Sequence, residues 1–130
     1  MVNFGPKSTV PERYRDRNLF EHNPTVTLMR TTPDECAAIG RFIAEKVNRF
    51  TKNTQTVQVV LPMGGISMIA TPDGPFHDAS ADDALFSSIK EGLDSSGIPV
   101  VEDPRAINDE GFAVDLAERL VTLMGLESIT

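Results

Sequence analysis

The sequence is poor in the residues that would place it in several common classes. It has one cysteine, Cys36, so no disulfide can form within the chain. That fits a reducing compartment, and the cytoplasm is the expected location. Tryptophan is absent and there is a single tyrosine, Tyr14. No apolar run approaches the roughly 20 residues that a bilayer span needs, so no membrane role is expected. The first residues, Met1-Val-Asn-Phe-Gly-Pro-Lys, lack the basic-then-apolar order of a secretory signal. Cations are scarce in the second half. Residues 71–130 hold three Lys/Arg against thirteen Asp/Glu, whereas residues 1–70 hold nine against six. With a net charge of −7, such a surface repels a phosphate backbone, and DNA is not an expected partner.

What is present is the composition of an ordinary globular domain, 40% hydrophobic and 24% charged over 130 residues. Three apolar runs have strand character: Thr25–Met29, Val57–Leu61 and Ile98–Val101. The middle run, Val57-Gln58-Val59-Val60-Leu61, is nearly continuous, as for a strand covered on both faces. Helical patterns follow each run. Thr32 can cap the first, Pro33 suits its first position, and Glu35 completes a capping box. Its apolar stripe is Cys36, Ile39, Ile43, Val47 and Phe50. This predicts a helix over 33–50, despite Gly40, which costs about 1 kcal/mol relative to Ala. A second helix should start near Ser80, bury Leu85, Ile89 and Leu93, and stop at Gly97. Asn108 should cap a third, with Ala113, Leu116, Ala117, Leu120, Leu123 and Met124 as a wide apolar face and Gly125 as the stop.

This alternation predicts an α/β fold: a small parallel sheet with helices on both faces, a Rossmann-like three-layer architecture. The whole chain, 1–130, reads as one domain with an irregular amino-terminal arm over 1–23 and a βαβαβα core over 24–130. Within the arm, Val2-Asn3-Phe4 and Leu19-Phe20 are candidates for edge strands or for contact with another chain. The cations Lys7, Arg13, Arg15 and Arg17 are interrupted by Glu12 and Asp16 and read first as a solvated or partner-facing segment.

In an open parallel sheet, ligands sit beyond the carboxyl ends of the strands. Three loops meet that condition. Arg30-Thr31-Thr32 offers a guanidinium, two hydroxyls and a helix amino terminus to a phosphate or carboxylate. The competing reading is that Thr32 only caps and Arg30 pairs with a nearby acid. Gly64 and Gly65, with Ser67 beyond them, could cradle an anion on backbone N–H groups. The competing reading there is a tight turn, and no Walker or dinucleotide fingerprint is present. In the third loop, Asp103 could hold a ribose hydroxyl or a magnesium ion. His77 beside Asp78 invites an acid–base or metal reading, but the only other histidine is His22, so a metal site lacks ligands. Cys36, on an apolar stripe, reads as core.

Four strings carry a resemblance: Met1-Val-Asn-Phe-Gly, Leu28-Met-Arg-Thr-Thr-Pro-Asp-Glu, Leu61-Pro-Met-Gly-Gly-Ile-Ser and Gly74-Pro-Phe-His-Asp. Together with Ile107-Asn-Asp-Glu-Gly-Phe, they resemble the carboxyl-terminal half of the family of the tomato-mosaic-virus resistance protein. This is the Tm-one-like ATP-binding family, most of it uncharacterised. The resemblance implies a two-domain α/β protein that binds ATP, with magnesium as its natural companion, and an absent amino-terminal domain or partner chain. The plant member blocks viral RNA replication by binding replication proteins, and other members have no agreed reaction. Members often carry Leu-Arg-Gly where this chain has Met63-Gly64-Gly65, which weakens phosphate binding by that loop.

Three functions follow as expectations. The first is a ligand-binding domain contributing Arg30, Thr31, Thr32, Gly64, Gly65, Ser67, His77 and Asp78 to a site for a nucleotide or phosphorylated metabolite. On that reading, Arg30→Ala loses anion binding and keeps the fold. The second is an assembly module, with a homo-oligomer expected. The third is a small metal-assisted hydrolase using His77 and Asp78.

Overall fold

A computed structural model describes residues 1–126. The chain is α/β, with five short strands and three helices among these residues. The strands are β1 (Val2–Asn3), β2 (Leu19–Asn23), β3 (Val26–Met29), β4 (Val59–Pro62) and β5 (Val100–Asp103). The helices are α1 (Pro33–Phe50), α2 (Ala79–Leu93) and α3 (Glu110–Leu123).

The strands do not form one sheet. Only β4 and β5 are parallel, in register from Val59↔Val100 to Pro62↔Asp103. The first apolar run, expected beside them, lies instead at the centre of an antiparallel sheet of order β1-β3-β2. Val2 and Leu19 flank Met29 from its two sides. The arm is therefore less irregular than expected, because both of its apolar pieces become edge strands of β3. A local device starts this arrangement. The Asn23 side chain accepts from the Thr25 N–H at 2.9 Å, turning the chain so that β2 and β3 meet as a hairpin.

The expected layering holds around the parallel pair. Successive residues of a strand point to opposite faces. Val57, Val59 and Leu61 therefore face one way, and they join Ala44 of α1 and Phe86, Ile89 and Leu93 of α2 in one core. Gln58 faces the other way and accepts from Arg119 of α3 at 3.1 Å. The middle run is less covered than its composition suggests, with only Leu61 and Pro62 of β4 buried.

Helix starts follow the sequence closely. Thr32 and Glu35 form the expected reciprocal capping box on α1. The second helix starts at Ala79, beside the expected Ser80, with Asp78 as its cap, and Asp109, not Asn108, caps α3. A carboxylate accepts more strongly from the first-turn N–H groups and also meets the positive end of the helix dipole. Gly97 and Gly125 take positive φ just past their helices, as expected of stop residues.

Helix faces differ from the expected ones. On α1, the residues buried are Cys36, Gly40 and Ala44, while Ile39 and Phe50 are exposed. Small residues are needed there because α2 comes very close. A Cβ on Gly40 would lie 2.6 Å from the Leu85 carbonyl oxygen and 2.7 Å from the Ser88 Cβ. From the other helix, a Cβ on Gly92 would lie 2.5 Å from the Ala44 Cβ. On α3 the correction is larger. Only Phe112 is buried, and the apolar face expected to enter the core, including Ala113, Leu116, Ala117, Leu120 and Met124, is exposed.

Gly40 thus gives a test in which two effects oppose each other. Helix propensity alone makes Gly40→Ala stabilising by about 1 kcal/mol. The 2.6 Å approach to backbone makes it destabilising, because overpacking costs about 1–3 kcal/mol. We expect a lower thermal midpoint for Gly40→Ala, and a midpoint at or above the parent's would mean that the helices are free to separate.

Candidate functional site

Two regions could hold a ligand: the carboxyl edge of the parallel pair, and a groove on the antiparallel sheet. At the first, most of the anticipated donors are already in use. Arg30 is 3% exposed and lies inside the molecule. Its Nε donates to the Phe76 carbonyl oxygen at 2.9 Å, and Nη2 pairs with the Asp82 carboxylate of α2. This is the competing reading of Arg30, and it turns the residue from an anion receptor into a clamp. Asp82 is missing from the expected site because its sequence signal, an acid in a first helical turn, points only to the helix dipole.

The glycine loop is similarly occupied. The Gly64 N–H donates to the Arg105 carbonyl oxygen at 3.1 Å, and the Gly65 N–H to that of Pro62 at 3.1 Å. A Cβ on Gly64 would strike the Pro104 carbonyl oxygen at 2.6 Å. Gly65 has φ +143° and would meet the Ala70 carbonyl oxygen at 2.9 Å. Glycine is required at both positions by close packing of the neighbouring loops. The next three N–H groups, of Ile66, Ser67 and Met68, have no acceptor among the described residues. Ser67 keeps only a long contact, its hydroxyl accepting from the Ile69 N–H at 3.4 Å.

The second edge cation, Arg105, is also neutralised. It donates to both Asp103 oxygens, at 2.9 and 2.6 Å, and to Asp115 of α3. Asp103 is buried and occupied, so it is not placed to grip a ribose or magnesium. Its pKa falls from 3.8 to about 2, first because the Arg105 side chain donates to it and then because the Arg105 backbone N–H does.

Thr32 is consumed by its capping box. His77 is exposed, and Asp78 accepts from the Ala81 N–H at 2.9 Å as the cap of α2. Among the described residues no three metal-ligating side chains converge, so His77 and Asp78 have no third ligand. No helix of the described residues is long and apolar enough to cross a membrane. Among the described residues the edge offers these three N–H groups, and both of its arginines are paired with carboxylates.

Of the expected residues, Thr31 lines a cavity. A groove of about 470 Å³ runs between the arm and the first turn of α1, within the range of small-molecule sites. Phe4, Met29 and Ile39 give it apolar walls, and Arg13, Thr31 and Glu35 give it polar ones. Glu35 is held by Arg17 at 3.2 and 2.7 Å and by the Thr32 N–H at 2.9 Å. Its carboxyl lies below the usual range, chiefly because of the Arg17 hydrogen bonds. Sequence reasoning missed the groove because its walls come from three separate segments. The faint signal was Arg13 within the cation cluster of the arm.

Two variants test these assignments. Arg30→Ala leaves Asp82 buried without its cation, and such a loss costs about 3–5 kcal/mol. We expect a clearly lower thermal midpoint, contrary to the expectation that the fold is indifferent, and an unchanged midpoint would refute the clamp. Asp103 has a depressed folded pKa, so its contribution is complete above pH 3.8 and drains away as pH falls toward 2. Asp103→Asn should therefore melt below the parent near neutral pH, with the gap closing in acid. A gap independent of pH would break the link to Arg105.

Comparison with known proteins agrees with the motif resemblance. Residues 1–124 match the C-terminal domain of an uncharacterised protein family (UPF0261). A UPF0261 protein of Clostridium tetani is 44% identical over 124 residues, which is 95% of this chain and 30% of that protein. UPF0261 protein RA0729 of Rhizobium meliloti is 46% identical over 114 residues, 87% of this chain and 28% of its own length. The ToMV resistance protein Tm-1(GCR237) of Solanum lycopersicum is 38% identical over 124 residues, 95% of this chain and 16% of its own. The chain thus spans 30% or less of the length of these relatives, and it belongs to the UPF0261 family through that family's C-terminal domain.

Proposed function

We propose that this domain is a docking part of a larger protein and that it contributes one neutral wall to a site for a nucleotide or phosphorylated metabolite. The observation that carries this reading is the uncovered apolar face of α3. Val114, Leu120 and Met124 are 50, 57 and 62% exposed, and Leu116 is also exposed. Ala113, Leu116, Ala117, Leu120 and Met124 follow the spacing of a buried helical stripe. An exposed stripe of this kind marks a contact surface, and the chain's relatives are more than three times its length. The rest of the family's polypeptide is the natural occupant.

The ligand part of the reading rests on the free N–H row of Ile66, Ser67 and Met68 beyond β4. Arg30 and Arg105 are both spent on carboxylates, so the phosphate charge must be met by the docked part. ATP with magnesium is the ligand that the family resemblance suggests. The printed name of the tomato relative refers to virus resistance in that protein. Buried Cys36, with no second thiol, is consistent with a cytoplasmic setting. A hydrolase using His77 has no further support.

The test mixes this chain with the remaining part of the Clostridium tetani protein, expressed separately. We expect association by light scattering, and we expect Leu116→Glu with Leu120→Glu to abolish it while leaving the thermal midpoint of the isolated chain unchanged. ATP with magnesium should bind the mixture and not the chain alone. No association would end the docking reading, and tight ATP binding by the chain alone would restore a self-sufficient site. A second copy is the other partner the stripe could take, and a concentration-dependent mass for the chain alone would assign the stripe to a homo-oligomer.

A further inference from the structure

We infer that the groove between the arm and α1 is a binding site for a small amphiphilic acid, an apolar body carrying one carboxylate. This site is separate from the docking stripe on α3 and from the edge of the parallel pair.

Its charge is decided by which of its ionic groups is already paired. Glu35 lines the groove but has both oxygens engaged by Arg17. Arg13 lines it too, and among the described residues no carboxylate lies within ion-pairing distance of its guanidinium. Arg13 instead stacks on the Tyr14 ring, 4.7 Å from its centroid, which leaves its edge N–H donors available. An unpaired guanidinium beside apolar walls favours a carboxylate over a neutral or cationic group. The walls are aromatic at the arm end, where Phe4 and Tyr14 face each other at 5.6 Å, and aliphatic at Met29 and Ile39.

Two hydroxyls lie at the floor, that of Thr31 lining the groove and that of Thr27 behind it. Thr31 is 7% exposed, and its hydroxyl oxygen accepts from Arg30 Nη1 at 3.4 Å and from Cys36 Sγ at 3.2 Å. Thr27 sits on the same face of β3 as Met29 and Thr31, by the alternation of the strand. It is 1% exposed, and its Oγ1 has no partner among the described residues. Buried hydroxyls rarely go unsatisfied without a reason, and this one lies on the face of the strand behind the groove.

Tyr14 makes the test direct, because it is the only tyrosine and there is no tryptophan. Excited at wavelengths beyond phenylalanine absorption, the emission of the chain therefore reports on Tyr14 in this groove. Octanoate and octanol share an apolar body, differ in charge and are transparent at the exciting wavelength. We expect a saturable change in Tyr14 emission with octanoate and at least roughly tenfold weaker binding of octanol, as for loss of one charge-assisted hydrogen bond. Arg13→Ala should weaken octanoate by about the same factor and leave octanol unchanged. Arg13→Gln, which keeps the stem over the ring, should behave alike, and thermal midpoints equal to the parent's exclude misfolding. Equal affinity for the two probes, octanoate binding indifferent to Arg13, or no saturable change would each overturn the site.

Discussion

The buried pair of Arg30 and Asp82 is the contact on which the arrangement of this domain depends. Arg30 stands at the end of β3, where the antiparallel sheet gives way to α1. Asp82 lies in the first turn of α2, more than fifty residues later. Between them the guanidinium also takes the Phe76 carbonyl oxygen, and the Arg30 carbonyl oxygen accepts from Arg17 at 3.0 Å. One side chain therefore joins the hairpin, the long loop before α2 and α2 itself. Burial of two opposite charges is costly unless both are paired and hydrogen-bonded. The pair thus penalises any packing that separates these three segments more strongly than it favours the native one.

The close approach of α1 and α2 is a constraint of a different kind. Gly40 and Gly92 are steric permissions rather than attractions, letting backbone and Ala44 come near. With both helices against one face of β4 and β5, the core is concentrated there, around Leu61, Phe86, Ile89 and Leu93. The opposite face receives α3 through polar contacts, Arg119 to Gln58 and Arg105 to Asp115. This imbalance explains why α3 keeps an apolar stripe without a cover.

Much of the fold was legible in the chain before any coordinates. Thr32, Pro33 and Glu35 located the start of α1, and Gly97 and Gly125 marked helix stops, because caps and positive-φ glycines act over a few residues. The same locality explains the small miss at Asn108, where the neighbouring Asp109 proved the better cap. The pairing of β3 was not legible, since a short apolar run looks the same in a parallel or an antiparallel sheet. Nor could the stripe of Cys36, Ile39, Ile43, Val47 and Phe50 reveal that Gly40 and Ala44 would form the contact face. That depended on how near α2 would come.

The candidate site divides along the same line. By itself the sequence determined which donors and acceptors exist: Arg30 and Thr31 at the end of a strand, two glycines after another, and Arg13 in the arm. It also determined that anions would find few cations in the acidic second half. Only the tertiary structure decided which of these groups are spent. Arg30 is consumed by Asp82, Arg105 by Asp103 and Asp115, and the glycine N–H groups by facing carbonyls, whereas Arg13 and Thr31 remain beside an open groove. The physical reason is that a polar group's availability is set by its nearest partner in space. For a charge at the end of a short strand, that partner lies fifty residues away along the chain and next door in the fold.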